Sequence, residues 1–368
     1  MIKVGFIANP VAGMGGSVGL KGTDGKIYFK AVKLGAKPVT LKRAREFLSH
    51  IKNKRDFFLL TAPGDMGESI IKDFNLNFSV VGSLKDKLTS ADDTKRIAKE
   101  MLSEAVDLLV FVGGDGTARD IYDVVGLEKP VIGVPSGVKM YSSVFAVNPR
   151  AASEILNAFI DGNAKMVEGE VLDINEESFR KGKLDVKLYG YLKVPEVTEL
   201  LQLSKEPTHA GGSSAENKKA IASYIVKNMA KNTLYLLGPG TTTKTIADEL
   251  KVKKTLLGVD AICDGELVGE DLNENGILNL LKNFTAAKII ISPIGGQGFI
   301  FGRGNQEFSP QVIEAVGKDS IMVVATRDKI SKLQCLRVDT GDVEVDRMLK
   351  GYIKVVVHYN EEVMINIL

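Results

Sequence analysis

A chain of 368 residues that is 44% hydrophobic and 26% charged has the composition of a globular protein with a sizeable core, long enough for two domains or one large one. Its net charge of +2 argues neither for nor against a polyanionic partner, and no Lys/Arg block is dense enough for a nucleic-acid arm. No apolar run approaches the length of a membrane span, so neither nucleic acid nor membrane is an expected partner. Two cysteines, Cys263 and Cys335, make no disulfide framework and fit a reducing compartment. His50, His209 and His358 carry no metal-ligand spacing, so no protein metal site is assigned. The N-terminal segment lacks the charged region and small-residue cleavage site of a signal peptide, and the expected location is the cytoplasm.

Taken in order, residues 2–8 read as a strand that runs into Asn9-Pro10-Val11-Ala12-Gly13-Met14-Gly15-Gly16. Apolar residues at helical spacing predict a helix over 40–51, with Leu41, Ala44, Phe47, Leu48 and Ile51 on one side. Strands are expected over 57–60 and 78–81, a short helix near 68–72, and a helix over 91–102 capped by Ser90. The apolar run 108–112 stops at Gly113-Gly114-Asp115-Gly116-Thr117 and opens a helix through Ile121, Val124 and Val125. A strand over 131–134 leads to Pro135-Ser136-Gly137-Val138-Lys139, and Asn148-Pro149 reads as an N-cap followed by proline at the first helical position. Strands alternating with helices predict a Rossmann-like parallel sheet over 1–163, covered on both faces. The character then changes to a mixed, partly β-rich domain over 164–368. Antiparallel strands are expected over 167–174, 184–188 and 191–194, and a polar loop over 209–214 precedes a helix around 220–229. A second βα unit follows: strand 234–237, loop 238–244, helix 245–250. Further strands are read at 256–259, 288–291, 321–325 and 352–357.

In parallel sheets ligands sit at the carboxyl ends of the strands. Three such ends carry Gly-rich turns here. Glycines let the backbone approach an anion, and each new helix supplies free N–H groups and a positive dipole end. Asn9, Pro10, Gly13, Gly15, Gly16, Gly113, Gly114, Gly116, Thr117, Ser136, Gly137 and Lys139 are the candidate phosphate contacts. Asp115 is the ill-fitting member. A carboxylate among such groups repels phosphate unless a metal or a reacting hydroxyl comes between, which marks it as the catalytic candidate. The plainer alternative is a tight turn in which Asp115 caps a helix. In the second half, Gly238-Pro239-Gly240-Thr241-Thr242-Thr243-Lys244 has the makings of an anion nest without Walker A spacing, with Gly240, Thr241, Thr242 and Thr243 as candidate substrate contacts. The stretch 292–306 encloses Gly295, Gly296 and Arg303. An arginine there suits bidentate phosphate binding, and a structural Gly-rich hairpin is the alternative. Asp260 and Asp339 read as turn acids, with a ribose contact as the alternative for each.

The stretch Gly113–Thr117 resembles the Gly-Gly-Asp-Gly-Thr signature shared by NAD kinases, diacylglycerol-type lipid kinases and, more loosely, phosphofructokinases. Asn9-Pro10-Val11-Ala12-Gly13 is similar to the Asn-Pro-x-small-Gly opening of the lipid-kinase branch. The third turn departs from the pattern, with Val138 where threonine is expected and Lys139 after it. Asn175-Glu176 matches the Asn-Glu pair that meets the dinucleotide in NAD kinases, and a polar turn explains it equally well. Gly240–Thr243 stands where those enzymes carry Thr-Pro-Thr-Gly-Ser-Thr, in a different order. Across most of its length the chain resembles an NAD kinase-like family, described as ATP-NAD kinase-like or acetoin-catabolism X-like. The resemblance implies a kinase using ATP (or polyphosphate) with Mg²⁺, with Asp115 taking the proton from the acceptor hydroxyl. The acceptor it implies is the 2′-hydroxyl of NAD, lying between the two domains. A small polyol or lipid acceptor, and a nucleotide-binding regulator without turnover, remain the other readings. A homo-oligomer is the expected assembly.

Overall fold

The computed structural model describes residues 1–16, 18, 20, 26–52, 54–84, 86, 89–137, 140–174, 186–197, 200–201, 212–294 and 298–368. Contacts divide the chain into two compact units. The first takes in Met1–Met14, Gly22–Phe179 and Leu184–Ser204, and the second Gly15–Lys21, Arg180–Lys183 and Lys205–Leu368.

The first unit is built on five parallel strands, β1 (Ile2–Ala8), β2 (Phe57–Thr61), β3 (Phe78–Val80), β4 (Leu108–Gly113) and β5 (Val131–Pro135), in the order β3-β2-β1-β4-β5. Every residue of β4 and β5 is buried, the expected state of strands covered on both faces. The helices are α1 (Lys26–Lys33), α2 (Thr40–Ser49), α3 (Glu68–Ile71), α4 (Ala91–Ser103), α5 (Asp115–Val125) and α6 (Pro149–Ile160). Local chemistry sets their starts. Ser90 and Asp93 form a reciprocal capping box at α4, and Asn148 accepts the Ala151 N–H ahead of Pro149 at α6. Between the end of β4 and the start of α5 lies Gly114 alone, so the turn is as tight as the three glycines imply.

A hairpin of β6 (Lys165–Ile174) and β7 (Val186–Glu196) packs on this sheet, with Val171, Leu192 and Val194 in one core with Phe111, Ile121 and Phe145. The sequence reading splits β7 into strands at 184–188 and 191–194; the structure makes one strand from 186, and 184–185 lie outside the described residues. Gly190 invites the split. It is a packing glycine instead: a Cβ there would lie 2.2 Å from Cζ of Tyr122 on α5.

The second unit carries a seven-stranded mixed sheet in the order β10-β9-β8-β11-β13-β15-β16. Its strands are β8 (Leu234–Leu237), β9 (Val259–Cys263), β10 (Glu266–Leu272), β11 (Ala287–Ile291), β13 (Ile321–Val324), β15 (Gly351–His358) and β16 (Glu361–Ile367), while β12 (Phe299–Phe301) and β14 (Arg337–Val338) pair separately. Parallel pairing joins β8, β11, β13 and β15, and antiparallel β9 and β16 flank them. The helices are α7 (Gly212–Lys227), α8 (Thr241–Glu249), α9 (Glu274–Leu281), α10 (Pro310–Val316), α11 (Arg327–Ser331) and α12 (Val343–Leu349).

Three expectations are corrected, and two strands are added. Helix α8 starts at Thr241, not 245, because Gly240 takes the N-cap place and three threonines form the first turn. Ser213 and Ser214 belong to α7 rather than to a polar loop, and 209–211 lie outside the described residues. The alternating β10 and the C-terminal β16 were not anticipated. The strand read at 256–259 runs instead over β9, and Asp260 sits inside it, fully buried, rather than at a turn. Its carboxylate accepts from Lys254 Nζ at 3.2 Å, from the N–H and hydroxyl of Thr255 at 3.0 and 2.7 Å, and from the Asp271 N–H at 2.9 Å. Both side chains of the Lys254–Asp260 pair are sealed from solvent, and burial lowers the Lys254 ammonium below its ordinary range against the pull of Asp260. Removing one partner leaves an uncompensated buried charge, so Asp260→Ala is expected to destabilise the second unit by about 3–5 kcal/mol in urea unfolding. A loss below about 1 kcal/mol would show that the pair does not hold this sheet edge.

Candidate functional site

In the first unit the structure brings the turns after β1, β4 and β5 together. Asn9 organises the first turn. Its carboxamide oxygen accepts the Val11 N–H at 3.2 Å, and its Nδ2 donates to Thr117 Oγ1 at 3.0 Å. Thr117 therefore accepts from the first turn and keeps its own hydroxyl hydrogen to donate. Gly13 has φ +76°, and a Cβ there would lie 1.8 Å from the Ser136 carbonyl oxygen, so only glycine lets the first and third turns touch. Gly114 and Gly137 meet backbone to backbone: a Cβ on Gly137 would fall 2.8 Å from the Gly114 Cα. Thr40, at the start of α2, ties the cluster from behind. Its hydroxyl donates to the Ala12 carbonyl at 3.1 Å and lies 3.2 Å from Ser136 Oγ. Thr40 carries no signal in the sequence beyond a hydroxyl residue at a helix start.

Asp115 stands at the first position of α5. One carboxylate oxygen accepts the Tyr141 N–H at 2.7 Å and the other the Ser142 N–H at 3.0 Å. The acid thus holds the chain that follows the third turn. That chain in turn holds the hairpin: Ser142 Oγ accepts the Leu172 N–H at 3.0 Å, and Ser143 Oγ accepts the Glu170 N–H at 2.7 Å. The Tyr141 side chain is buried, and desolvation, with the Asp115 charge nearby, raises its phenol above the ordinary range. Tyr141 and Ser142 were also missed. Backbone donors leave no residue-type signal in a sequence.

The remaining candidates are placed as follows. Gly15 and Gly16 group with the second unit, where a Cβ on Gly16 would meet Oε1 of Gln306 at 1.6 Å. Lys139, Asn175, Glu176, Gly295 and Gly296 lie outside the described residues. Gly240 caps α8, and Thr241, Thr242 and Thr243 open it. Thr243 is fully buried and its hydroxyl is bonded to the Gly238 and Gly240 carbonyls at 2.6 and 3.0 Å, so it braces the turn. Arg303 is interior: its guanidinium lies over the Phe299 ring at 4.5 Å and 3.7 Å from the Asp339 carboxylate. Asp339, read as a turn acid, is that buried counter-charge. Part of the glycine content nearby serves packing, since Gly302, at φ +86°, would place a Cβ 1.8 Å from the Asp339 carbonyl oxygen. An open depression of about 780 Å³, lined by Thr233, Ala286, Ala287 and Ser320 among others, lies at the amino ends of the second sheet, away from every Gly-rich turn. Among the described residues no three His, Cys, Asp or Glu side chains group closely enough to hold a metal, and no helix is long and apolar enough to cross a membrane.

Replacing Asp115 by asparagine turns one acceptor oxygen into an NH₂ group facing a backbone donor. Asp115→Asn is therefore expected to cost the first unit about 1–3 kcal/mol and to speed amide hydrogen exchange at Tyr141 and Ser142. Unchanged protection at both amides would show that the carboxylate does not hold this segment.

Comparison with known families agrees with this architecture. The model of the ATP-NAD kinase N-terminal domain matches residues 4–164, and that of the ATP-NAD kinase C-terminal domain matches residues 230–367. No curated protein matches the chain.

Proposed function

The chain belongs to the NAD kinase-like family, and from that premise we propose that it phosphorylates the 2′-hydroxyl of NAD to give NADP. Family membership makes it an ATP-dependent kinase with an alcohol acceptor; the acceptor, the site residues and the metal are the proposal. The observation that carries the site is the convergence of Asn9, Gly13, Gly114, Thr117, Ser136 and Gly137 around one acid. In this reading the N-terminus of α5 and the Thr117 hydroxyl receive the phosphates of ATP. The acceptor oxygen forms a bond to the γ-phosphorus as the bond from that phosphorus to the β–γ bridging oxygen breaks. ADP leaves with that electron pair, and the acceptor proton passes to Asp115.

Mg²⁺ enters with ATP. Asp115 is the only carboxylate among residues 9–16, 113–117 and 136–137, and Mg²⁺ commonly takes one or two carboxylates beside phosphate oxygens, so the residues present fit it. When bound, the ion offsets phosphate charge. Transfer of this kind asks mainly for positioning and charge stabilisation, which the backbone turns supply.

Incubated with ATP, Mg²⁺ and NAD, the protein is expected to release ADP and form a product with the mass of NADP. Asp115→Ala is expected to lower kcat by about 10² or more. ADP release with NAD left unmodified would move the acceptor elsewhere, and wild-type turnover in the variant would remove Asp115 from the chemistry.

A further inference from the structure

In the second unit, α7 and α8 cover one face of the sheet, with Ile221, Ile225, Ile246, Leu237, Ile290 and Val324 in the core beneath them. At the carboxyl ends of the parallel strands this face turns polar. Strand β8 ends in the Gly238-Pro239-Gly240 turn, which opens the nine-residue helix α8 and is seated on β11 by the bond from Gly238 N–H to the Ile290 carbonyl at 2.8 Å. Ser292 follows β11. Strand alternation places its side chain on the same face as Ile290. It is only 5% exposed, and its Oγ has no hydrogen-bond partner among the described residues. A buried hydroxyl without a partner costs stability unless something else completes it.

Two lysines come to the same edge. Lys218 of α7 donates from Nζ to Thr241 Oγ1, at the first turn of α8, at 3.0 Å. Its neighbour Asn217 donates to the Val357 carbonyl at 2.6 Å and accepts the Arg327 N–H at 3.0 Å, which ties α7 to the end of β15 and the start of α11. Lys329 sits two residues further along α11. Burial, then the charge of Lys218, pushes its ammonium down to about 8, and burial also lowers Lys218. Among the described residues neither lysine has a carboxylate within 4 Å. Two partly desolvated ammonium groups that repel one another, beside the positive end of a helix and with no acid between them, form a site that an anion completes.

We propose that Lys218, Lys329, Ser292 and the N-terminus of α8 with Thr241 form a binding site for the phosphate groups of a small-molecule ligand. In one respect this rests on the kinase reading: there the phosphate belongs to the acceptor, which is then a phosphate ester or pyrophosphate and not a plain polyol.

The test uses the full chain with inorganic pyrophosphate as the probe, followed by calorimetry. Lys218→Gln and Lys329→Gln are each expected to weaken binding roughly tenfold or more, and Ser292→Ala severalfold. Lys332→Gln, whose lysine pairs with Asp328 in solvent, is the control that leaves binding unchanged. Melting temperatures report folding; removing one of two repelling charges is expected to leave them level or higher. With NAD as acceptor, the double lysine variant is expected to raise KM while kcat holds. Pyrophosphate binding that is equal in wild type and double variant overturns the site. Lysine-dependent binding by a protein that phosphorylates no acceptor upholds the site and removes the kinase reading.

Discussion

The Asp115 carboxylate accepts two backbone N–H groups, and much of the first unit hangs on that arrangement. Through Tyr141 and Ser142 it fixes the segment after β5, and through the hydroxyls of Ser142 and Ser143 that segment fixes β6. Hydrogen bonds to a charged acceptor contribute about 1.5–3 kcal/mol each, so the group that faces the turns is also a large local stabiliser. In the proposed reading, phosphoryl transfer through a loose transition state asks little help in shedding the acceptor proton early, and a carboxylate fixed by two bonds serves by orienting the hydroxyl.

The two units solve the problem of a polar strand edge differently. In the first, glycines let three turns touch, and small hydroxyls (Thr40, Thr117, Ser136) fill the space behind them. In the second, buried ion pairs do the corresponding work. Lys254 and Asp260 gather the chain between β8 and β9, and Arg303 and Asp339 join the segments after β12 and β14. Burying a charge is tolerable only with a partner and further hydrogen bonds, and Asp260 has both.

The alternation of strand and helix in the first unit was legible because its strands are short uniform apolar runs and its helices carry explicit caps, as at Ser90 and Asn148. The meeting of the turns was legible too, since carboxyl ends of neighbouring parallel strands must lie side by side. What the residue pattern hid was anything resting on backbone atoms or on distant pairing. Asp260 looks like a turn acid until Lys254 is seen beside it. Gly190 looks like a turn until the Tyr122 ring is seen across it. Arg303 gave no hint in the residue pattern of the ring beneath it or the Asp339 carboxylate beside it. Lys218 and Lys329, more than a hundred residues apart, have no sequence signature at all.

The contrast in charge between the two Gly-turn helix starts bears on how a kinase of this kind divides its task. Helices α5 and α8 each open after a glycine that ends a strand turn, so each offers the same bare N–H groups and dipole. The first residue of α5 is an acid; at the first turn of α8 stands Lys218, with the charge of Lys329 near it. An acid at a phosphate turn disfavours simple retention of phosphate and favours a site where charge is moved, because a hydroxyl or a metal must come between the carboxylate and the phosphate oxygens. Two bases at such a turn favour retention of an anion and offer nothing to accept a proton. In the proposed reading the acid at the start of α5 serves the transfer of charge, and the turn that opens α8 serves retention of a ligand's fixed phosphate.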